Sequence, residues 1–533
     1  MVDDNKRVGT PENAIGRRDL LTGGAIVLAA PLVHCSSTSD AEPANPFKHG
    51  VASGDPLPDA VILWTRVTTE GGGPVDVTWD VAEDPAMQKK VTSGAFSTNA
   101  DRDFTVKVEA RGLMPGRTYY YRFSAPGGTS PVGRTRTAPS GAVDRLRFAL
   151  VACSSFAHGF FHGYRAVSTH LDLDAVIHLG DYIYEYGNLE YGDVREYEPI
   201  LECLTLADYR MRHSQYKRDK DLQEVHRQHA FITIWDDHET ANDSYKDGAE
   251  NHSDTEGSFA DRKAAAQRAY MEWMPIREQA GGRIFRTLSF GDLADLVLLD
   301  TRLYARTKQP GGVLGPPPAP DPTRTLLGDE QAAWMESQLM GSTAKWKLLG
   351  QQVMVGNLIL DIGKQIANLD QWHGYPESRN RLLSFFKDSG VKNVVVLTGD
   401  IHSSWANELV VDPNDATKYQ PATSTGSLGV EFVTPGITSP GIPDIFLSLL
   451  DQARPKNPHV KWLDPSRRGF VLLDVTPERV QADWHLFESI VLPDPVSPTF
   501  QQAWSVKTGE TKLTNQPSAV PSREGAPAAA PAT

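Results

Sequence analysis

The chain has 533 residues, of which 40% are hydrophobic and 23% charged, so it is predicted to be a soluble globular protein of roughly two to four domains. Its formal net charge of −14 disfavours a partner held on a broad basic surface, and bulk nucleic-acid binding is not expected. A small phosphorylated ligand is still compatible with this charge, because a few arginines and bound cations can make one cleft positive. The three cysteines, Cys35, Cys153 and Cys203, do not form a disulfide framework.

The N-terminal segment, residues 1–46, is predicted to be an export signal followed by a tether. Arg17 and Arg18 precede an apolar stretch at 23–33, which is shorter than the about 20 residues of a membrane span. The arginine pair is typical of a twin-arginine signal and predicts export by the twin-arginine machinery to the periplasm, the medium or the cell envelope. Cys35 follows a segment that resembles a lipoprotein cleavage site and is a candidate lipid anchor; a cleaved leader without lipid is the alternative.

Residues 47–139 are predicted to form an N-terminal β-sandwich of the fibronectin or immunoglobulin type. Short β-rich runs separated by Gly and Pro recur there at the spacing that such sandwiches have, at 61–67, 75–81, 104–108 and 118–123. In the run at 75–81 apolar and polar residues alternate, which is the period of a strand with one buried face.

Residues 140–515 are predicted to form an α/β catalytic domain, because apolar β-runs alternate there with longer helical stretches. Strands are expected at 146–152, 175–179, 231–235, 296–299, 346–355 and 394–397, and helices at 261–272 and 329–339. The tail at 516–533 is rich in Pro, Ala and Ser and is predicted to be disordered.

Four of the predicted strands end in side chains that can bind metal. Ligands gather beyond the carboxyl ends of strands in open α/β sheets. The first strand ends at Cys153, a candidate thiolate ligand, although a lone cysteine there is more often a small buried residue. After the second, Gly180 allows a sharp turn and Asp181 can bridge two cations. Tyr184 can coordinate as phenolate, which favours ferric iron.

The third and fourth strand ends carry further ionisable groups. Asp236, Asp237, His238 and Glu239 are consecutive, and such groups at a buried strand end repel one another unless cations or protons compensate. Asn242 and Asp243 follow them. At the fourth end Asp400 and His402 are two residues apart, so they face the same side of an extended segment. A solvated turn and a core histidine are the respective alternatives, but the four motifs together predict a metal centre.

These motifs resemble those of the PhoD-like alkaline phosphatase and phosphodiesterase family, within the calcineurin-like metallophosphoesterases. The similarity extends from Phe47 to about Trp484 and includes the segments 50–56, 63–66 and 370–375. It implies an α/β fold, an αββα metallophosphoesterase sandwich behind the N-terminal β-sandwich, with Fe³⁺ and Ca²⁺ as cofactors.

The resemblance also implies a set of metal ligands. The residues that match the iron ligands are Cys153, Asp181, Tyr184 and His402. Asp181 would bridge to calcium, which Asp400 and either Asp237 or Asn242 would complete. The chain departs from the family pattern at His373, where an acidic residue is expected, so the resemblance assigns no role to that loop.

The predicted activity is hydrolysis of phosphate monoesters or diesters, as in alkaline phosphatase D or phospholipase D-like enzymes, by attack of a metal-bound hydroxide. A small phosphate ester or a phospholipid is the expected substrate, and Asp181 is expected to be essential. His238 matches the superfamily histidine that contacts the phosphate or protonates the leaving group. Arg302 is expected to hold a phosphate oxygen, and a salt bridge without contact to the substrate is the alternative. The alternatives are a non-catalytic iron-binding redox protein and a protein that binds phosphate compounds without hydrolysing them.

Overall fold

The computed structural model describes residues 45–311, 314–361 and 365–532. The leader residues on which the export prediction depends, Arg17, Arg18 and Cys35, lie outside the described residues. Within the described ranges, no helix is both long enough and apolar enough to cross a bilayer.

The strands and helices of the described part of the chain are numbered here in chain order. The strands are β1 Val51–Gly54, β2 Ala60–Arg66, β3 Val75–Ala82, β4 Lys90–Thr98, β5 Thr105–Arg111, β6 Thr118–Ala125, β7 Gly128–Thr129, β8 Gly133–Arg136, β9 Leu146–Val151, β10 Ala175–His178, β11 Ala230–Thr233, β12 Arg286–Phe290, β13 Ala294–Leu298, β14 Leu314–Gly315, β15 Trp346–Gln351, β16 Leu360–Asp361, β17 Gln365–Asn368, β18 Val394–Thr398, β19 Ser404–Leu409, β20 Gly429–Val433, β21 Val460–Asp464, β22 Arg468–Val475, β23 Arg479–Phe487, β24 Thr499–Lys507 and β25 Leu513–Gln516. The α-helices are α1 His162–Ser168, α2 Leu206–Lys217, α3 Lys220–Gln228, α4 Phe259–Trp273, α5 Gly328–Gly341, α6 Pro376–Asp388 and α7 Leu447–Ala453.

Two mixed β-sheets pack face to face at the centre. The ten-stranded sheet has the order β25-β24-β23-β22-β9-β10-β11-β1-β2-β5, and the seven-stranded sheet has the order β12-β13-β15-β18-β20-β19-β21. Side chains of both sheets form one continuous core, for example Phe148 and Leu150 with Leu296 and Phe432. Strand β9 is buried along its whole length, as expected for a strand covered on both faces.

Helices cover the outer faces of the two sheets. On the ten-stranded sheet, α1 and α3 contribute Val167 and Leu222 to the core. On the seven-stranded sheet, α5 and α6 pack Met335 and Leu382 against the outward-facing side chains of β13, β15 and β18. The layers therefore run helix, sheet, sheet, helix, and the predicted α/β fold class is confirmed.

The N-terminal segment forms two β-layers around its own apolar core. A five-stranded sheet with the order β4-β3-β6-β7, in which β8 also pairs with β6, packs on β1, β2 and β5 through residues such as Leu63, Val77 and Tyr121. Strand β1 also pairs in parallel with β11, with Ser53 opposite Ala230. One layer of the N-terminal segment is therefore continuous with the sheet that carries the predicted metal ligands.

The C-terminal tail differs from the prediction of disorder, because the structure places it against the folded chain. Its backbone is held by polar side chains rather than by a large apolar surface, which is why composition alone gave no sign of order. The contacts run from Val520 N to Asp483 Oδ2 (2.7 Å), from Arg523 to Asp174 Oδ2 (2.8 Å), from Tyr120 to Ala528 O (2.6 Å) and from Ala530 N to Gln228 Oε1 (3.0 Å).

Candidate metal centre

The predicted metal-binding motifs meet at one edge of the two sheets. Strands β9, β10 and β11 are parallel neighbours, as are β13, β15 and β18, so their carboxyl ends face the same region. A cavity of about 240 Å³ opens there, lined by Asp181, Asp237, His238, Asn242, Asp243, Asn368, Asp370, Gln371, Asp400, Ile401 and His402. A larger cavity of about 390 Å³ lies between α5 and α6, and its lining contains none of the predicted site residues.

The first donor cluster contains the four residues that match the iron ligands. One donor atom each of Cys153, Asp181 and His402 lies within 4.8 Å of the others. The Tyr184 hydroxyl donates to Asp181 Oδ2 at 2.8 Å and lies 3.1 Å from His402 Nε2. Ser439 donates to the same Tyr184 oxygen at 2.6 Å. The structure therefore brings thiol, carboxyl, phenol and imidazole together.

The thiol and the phenol of this cluster are both held in their protonated forms. Burial, together with the nearby carboxylate of Asp181, raises the pKa of Cys153 and that of Tyr184 well above their ordinary values. Ligands must lose their protons to bind metal, and a nearby cation reverses this effect by stabilising the anion. The thiol and the phenol of this cluster could therefore bind a metal only after losing their protons.

The second donor cluster contains only oxygen donors. Carboxylate oxygens of Asp236, Asp237 and Asp400 lie within 4.8 Å of one another. Among the described residues, Asp236 Oδ2 and Asp237 Oδ1 are buried without a hydrogen-bond partner. An unpaired buried polar group costs about 1–3 kcal/mol, and more when it is charged. These oxygens therefore fit a bound cation better than an empty cleft.

The electrostatics of the second cluster reflect crowded carboxylates in a buried setting. Burial raises the pKa of Asp236 well above its ordinary value and raises the pKa of Asp400 to about 6, although Arg302 opposes both shifts. Burial alone would also raise the pKa of Asp237, but Arg302 and His238 outweigh it and lower that pKa. The negative charge is therefore shared unevenly among the aspartates.

His238 is oriented by a buried glutamate. Its Nδ1 lies 2.7 Å from Glu185 Oε2, and its ring stacks on Tyr184 with centroids 4.1 Å apart. Burial alone would lower the pKa of His238, but the carboxylates of Asp237, Glu185 and Asp181 raise it well above its ordinary value. These carboxylates favour the protonated form of His238, and the residue lines the cavity.

The backbone is unusual at the ligand positions themselves. Cys153, Asp181, Asp400 and His402 have φ angles of 56°, 57°, 62° and 55°, in the left-handed region that residues other than glycine seldom adopt. Such strained residues cluster at functional sites. Gly180 has φ 109°, and a Cβ there would lie 2.5 Å from Cβ of Asp236, so only glycine allows the loops after β10 and β11 to approach this closely.

Arg302 lies among buried carboxylates and is absent from the residues that line the cavity, which favours the salt bridge over the predicted contact with a phosphate oxygen. The side chain is fully buried. Its three guanidinium nitrogens donate to carboxylate oxygens of Asp236, Asp370 and Asp400. The physical reason is the crowding of carboxylates behind the cavity, because buried charges need an opposite charge at hydrogen-bond distance.

Comparison with known proteins identifies the chain. A family model described as PhoD-like phosphatase matches residues 148–484, and one described as PhoD-like phosphatase, N-terminal domain, matches residues 34–139. The chain belongs to the PhoD-like phosphatase family. Alkaline phosphatase D of Bacillus subtilis (strain 168) is 39% identical over 470 residues, which cover 84% of this chain and 79% of that protein. A solved structure described as the structure of PhoD superposes with a TM-score of 0.81 at 36% identity and covers 90% of this chain and 94% of its own.

Membership of this family makes the chain a hydrolase of phosphoric esters. The geometry also bears on the choice between Asp237 and Asn242 as a metal ligand of this PhoD-like phosphatase. Both residues line the cavity, but the Asn242 side chain donates to Glu250 Oε2 at 3.0 Å, whereas Asp237 Oδ1 has no hydrogen-bond partner among the described residues.

The sequence patterns assign no role to several residues that lie at the metal centre of this PhoD-like phosphatase. Glu185 ends the same motif as Asp181 and Tyr184 but received no role, because nothing local shows that its carboxylate meets His238. Asp370 and Gln371 line the cavity and open the segment whose role was left unassigned because of His373. The resemblance of that whole segment to the family was the signal that could have identified them.

Proposed function

We propose that this PhoD-like phosphatase is metal-dependent and hydrolyses small phosphate monoesters or diesters at the 240 Å³ cavity. The observation that carries the proposal is that the carboxylate of Asp181, a member of the first donor cluster, also lies within 4.8 Å of donor atoms of Asp237 and His238. Asp181 belongs both to the group with Cys153 and His402 and to a group with Asp237 and His238. A shared carboxylate between two donor sets is what a two-cation phosphoesterase requires.

The two proposed sets of metal ligands favour different cations. The set of Cys153, Asp181, Tyr184 and His402 supplies a phenolate and a thiolate, and the phenolate, a hard anionic donor, favours Fe³⁺. Asp181, Asp237 and Asp400 supply only oxygen, which is the preference of Ca²⁺. Asp237 Oδ1 accepts no hydrogen bond from the described residues, although it lies 3.5 Å from Arg302 Nη2, and this supports Asp237 rather than Asn242 as the remaining calcium ligand.

The chain's own residues would handle the proton of the leaving group. When bound, the two cations would supply Lewis acidity that activates water and neutralises the phosphoryl oxygens. A proton on Nε2 of His238 would be available to the cavity that the residue lines, while its Nδ1 is held by Glu185 at 2.7 Å. His238 would therefore donate that proton to the departing oxygen of the ester.

Arg302 would act on the aspartates rather than on the substrate. Its guanidinium lies behind the cavity and pairs with Asp236, Asp370 and Asp400. These contacts support a role in which Arg302 offsets the repulsion among buried carboxylates and holds Asp400 in position for a cation.

The test is hydrolysis of p-nitrophenyl phosphate and bis-p-nitrophenyl phosphate at alkaline pH, with and without EDTA, alongside elemental analysis of the purified protein. We expect turnover that EDTA abolishes, with iron and calcium both present. The ratio of the two rates separates a monoesterase from a diesterase. Bound metal without turnover would instead support a redox or binding protein.

A matched pair of variants locates the chemistry. Asp181→Asn removes the shared carboxylate and is expected to abolish turnover while the protein stays folded. Asp76→Asn changes an exposed carboxylate of β3 and is expected to leave turnover at the wild-type level. Full activity in Asp181→Asn would contradict the mechanism.

We also propose that the protein is exported by the twin-arginine machinery, with Cys35 as a candidate lipid anchor. The support is the leader sequence, in which Arg17 and Arg18 precede an apolar stretch. Replacing both arginines with lysine is expected to leave the protein in the cytoplasmic fraction. Export that is unchanged by this double replacement would contradict the proposal.

A further inference from the structure

Glu239 has no part in the proposed chemistry, yet its carboxylate is unusually well bonded. The residue is 2% exposed. Its Oε2 accepts hydrogen bonds from the backbone N–H groups of Asp236 at 2.7 Å and Asp181 at 3.1 Å, and its Oε1 accepts one from the N–H of Tyr182 at 2.6 Å. One buried side chain therefore satisfies three backbone donors.

These donors come from two separate loops. Asp181 and Tyr182 lie in the loop after β10, and Asp236 lies in the loop after β11. Both loops carry proposed metal ligands, and they approach so closely that a Cβ at Gly180 would lie 2.9 Å from the backbone nitrogen of Asp236. At Asp181 the backbone is held at φ 57°. The hydrogen bonds to Glu239 therefore connect the two loops whose relative position sets the distance between Asp181 and Asp237.

Loss of this acceptor would release both loops. Three buried N–H groups would lack a partner, and leaving a buried donor unpaired is costly. The loops could recover part of this cost only by moving toward water or toward other acceptors. Such movement would change the separation between Asp181 and Asp237, and the cation proposed to bind Asp181, Asp237 and Asp400 requires that separation to be fixed.

We infer that Glu239 is a positioning residue whose carboxylate clamps the loops after β10 and β11 and so maintains the metal-binding arrangement of Asp181 and Asp237. The inference rests on the proposed function, because it concerns retention of the proposed cations. It assigns a role to a residue that belongs to none of the donor groups among the described residues and is absent from the cavity lining.

Asp174 offers a matched control for a purely structural effect. Its carboxylate is also buried and belongs to the same sheet, where its Oδ2 accepts the N–H of Arg147 at 2.8 Å and its Oδ1 pairs with Arg136 at 2.9 Å. Because Asp174 directly precedes β10, it lies at the opposite edge of the sheet from the metal centre. Asp174→Asn should therefore lower stability without loosening the metals.

The experiment measures metal release from purified, metal-loaded protein. Wild type, Glu239→Gln, Glu239→Asp and Asp174→Asn are incubated with EDTA well below their melting temperatures, and released metal is followed by elemental analysis. Glutamine replaces one acceptor oxygen with an NH₂ donor that would face a backbone N–H. We expect Glu239→Gln to release metal roughly 10–100 times faster than wild type, which is the usual effect of losing a group that orients a ligand, and Asp174→Asn to release it at the wild-type rate.

Each outcome decides between the alternatives. Glu239→Asp keeps the charge and both oxygens at a shorter reach, so it should show intermediate release, and it carries the test if Glu239→Gln does not fold. Wild-type release from a folded Glu239 variant would overturn the inference. If neither Glu239 variant folds while Asp174→Asn does, Glu239 is a folding residue and the inference is also overturned. If the wild type contains no metal, the proposed function itself is wrong. The metal content of the wild type therefore tests the proposed function, and the variants test the role of Glu239.

Discussion

At the scale of single residues, the proposed proton transfer depends on the imidazole of His238. The carboxylate of Glu185 holds Nδ1 at 2.7 Å, while Asp237 and Asp181 add negative charge that favours the protonated ring. A general acid of this kind contributes most when the leaving oxygen is strongly basic, because such an oxygen cannot depart as an anion.

Replacing His238 with alanine should therefore affect substrates unequally. For an alkyl phosphate ester, kcat is expected to fall by about 10²–10⁴-fold. The loss should be much smaller for p-nitrophenyl phosphate, since p-nitrophenolate leaves without a proton. The measurement is kcat for both esters, with metal content as the control. An equal loss for both esters would show that His238 does not act as the acid.

Asp483 allows a test of pH dependence away from the metal centre. Its carboxylate is buried on β23, and burial raises its pKa to about 6 from an ordinary value of 3.8. Because the folded state holds the proton more tightly, the stabilisation from this group is complete below about pH 4 and is lost as the pH rises through 6. The stability of the wild type relative to Asp483→Asn should thus fall by roughly 2–3 kcal/mol between pH 4 and pH 7.

The measurement is urea unfolding of both proteins across this range. The comparison uses differences between the two, so that metal loss and other titrating groups cancel. A difference in unfolding free energy that is the same at every pH would show that the pKa of Asp483 is not raised on folding.

At the scale of elements, local sequence patterns predicted the strands well where burial follows a simple period. The alternating run at 75–81 became β3, Val75–Ala82, and the apolar run at 394–397 became β18, Val394–Thr398. The predicted helix at 261–272 lies within α4, Phe259–Trp273. These elements were readable because each buries one face, or both faces, along its length.

Pairing between distant elements could not be read in the same way. Nothing local in β1 indicates that Ser53 lies opposite Ala230 of β11, because register between distant strands is fixed only when both are packed. The same reason separates the site residues that were predicted from those that were missed. Strand ends indicated Asp181 and Asp400, whereas the backbone contacts of Glu239 depend on how two loops approach.

Helix α3 gives a test at this scale. Asp219 caps its first turn by accepting hydrogen bonds from the N–H groups of Asp221 at 2.9 Å and Leu222 at 3.1 Å, and it also pairs with Arg195 at 2.7 Å. Asp219→Asn removes the ion pair but keeps the capping oxygen, whereas Asp219→Ala removes both. Alanine should be less stable than asparagine by about 1 kcal/mol, measured by urea unfolding. Equal unfolding midpoints would show that the cap contributes nothing.

At the scale of the whole molecule, the metal centre belongs to neither sheet alone. Cys153, Asp181 and Asp237 follow strands of the ten-stranded sheet, and Asp400 and His402 follow β18 of the seven-stranded sheet. The side-chain core between the sheets therefore fixes the distance between donors from the two sides. The site forms only when the two sheets are packed. Local sequence patterns can therefore indicate single ligands but not the distances between ligands from different sheets.

The docked tail provides the test at this scale, through deletion of the residues after Gln516. The tail is held by Asp483 on β23, by Asp174 before β10 and by Gln228 on α3, so its loss should lower the free energy of unfolding. Each hydrogen bond contributes about 1 kcal/mol net, and the cost of ordering the tail offsets part of this, so the expected loss is on the order of 2 kcal/mol.

Hydrolysis by the truncated protein should be unchanged, because Asp174 lies at the opposite edge of the sheet from the metal centre. Urea unfolding and kcat for p-nitrophenyl phosphate measure the two effects separately. Unchanged stability would mean that the tail does not hold its docked position in solution. A fall in kcat with metal content intact would mean that the tail, through β10 or β23, controls the spacing of the ligand loops at the far end of those strands.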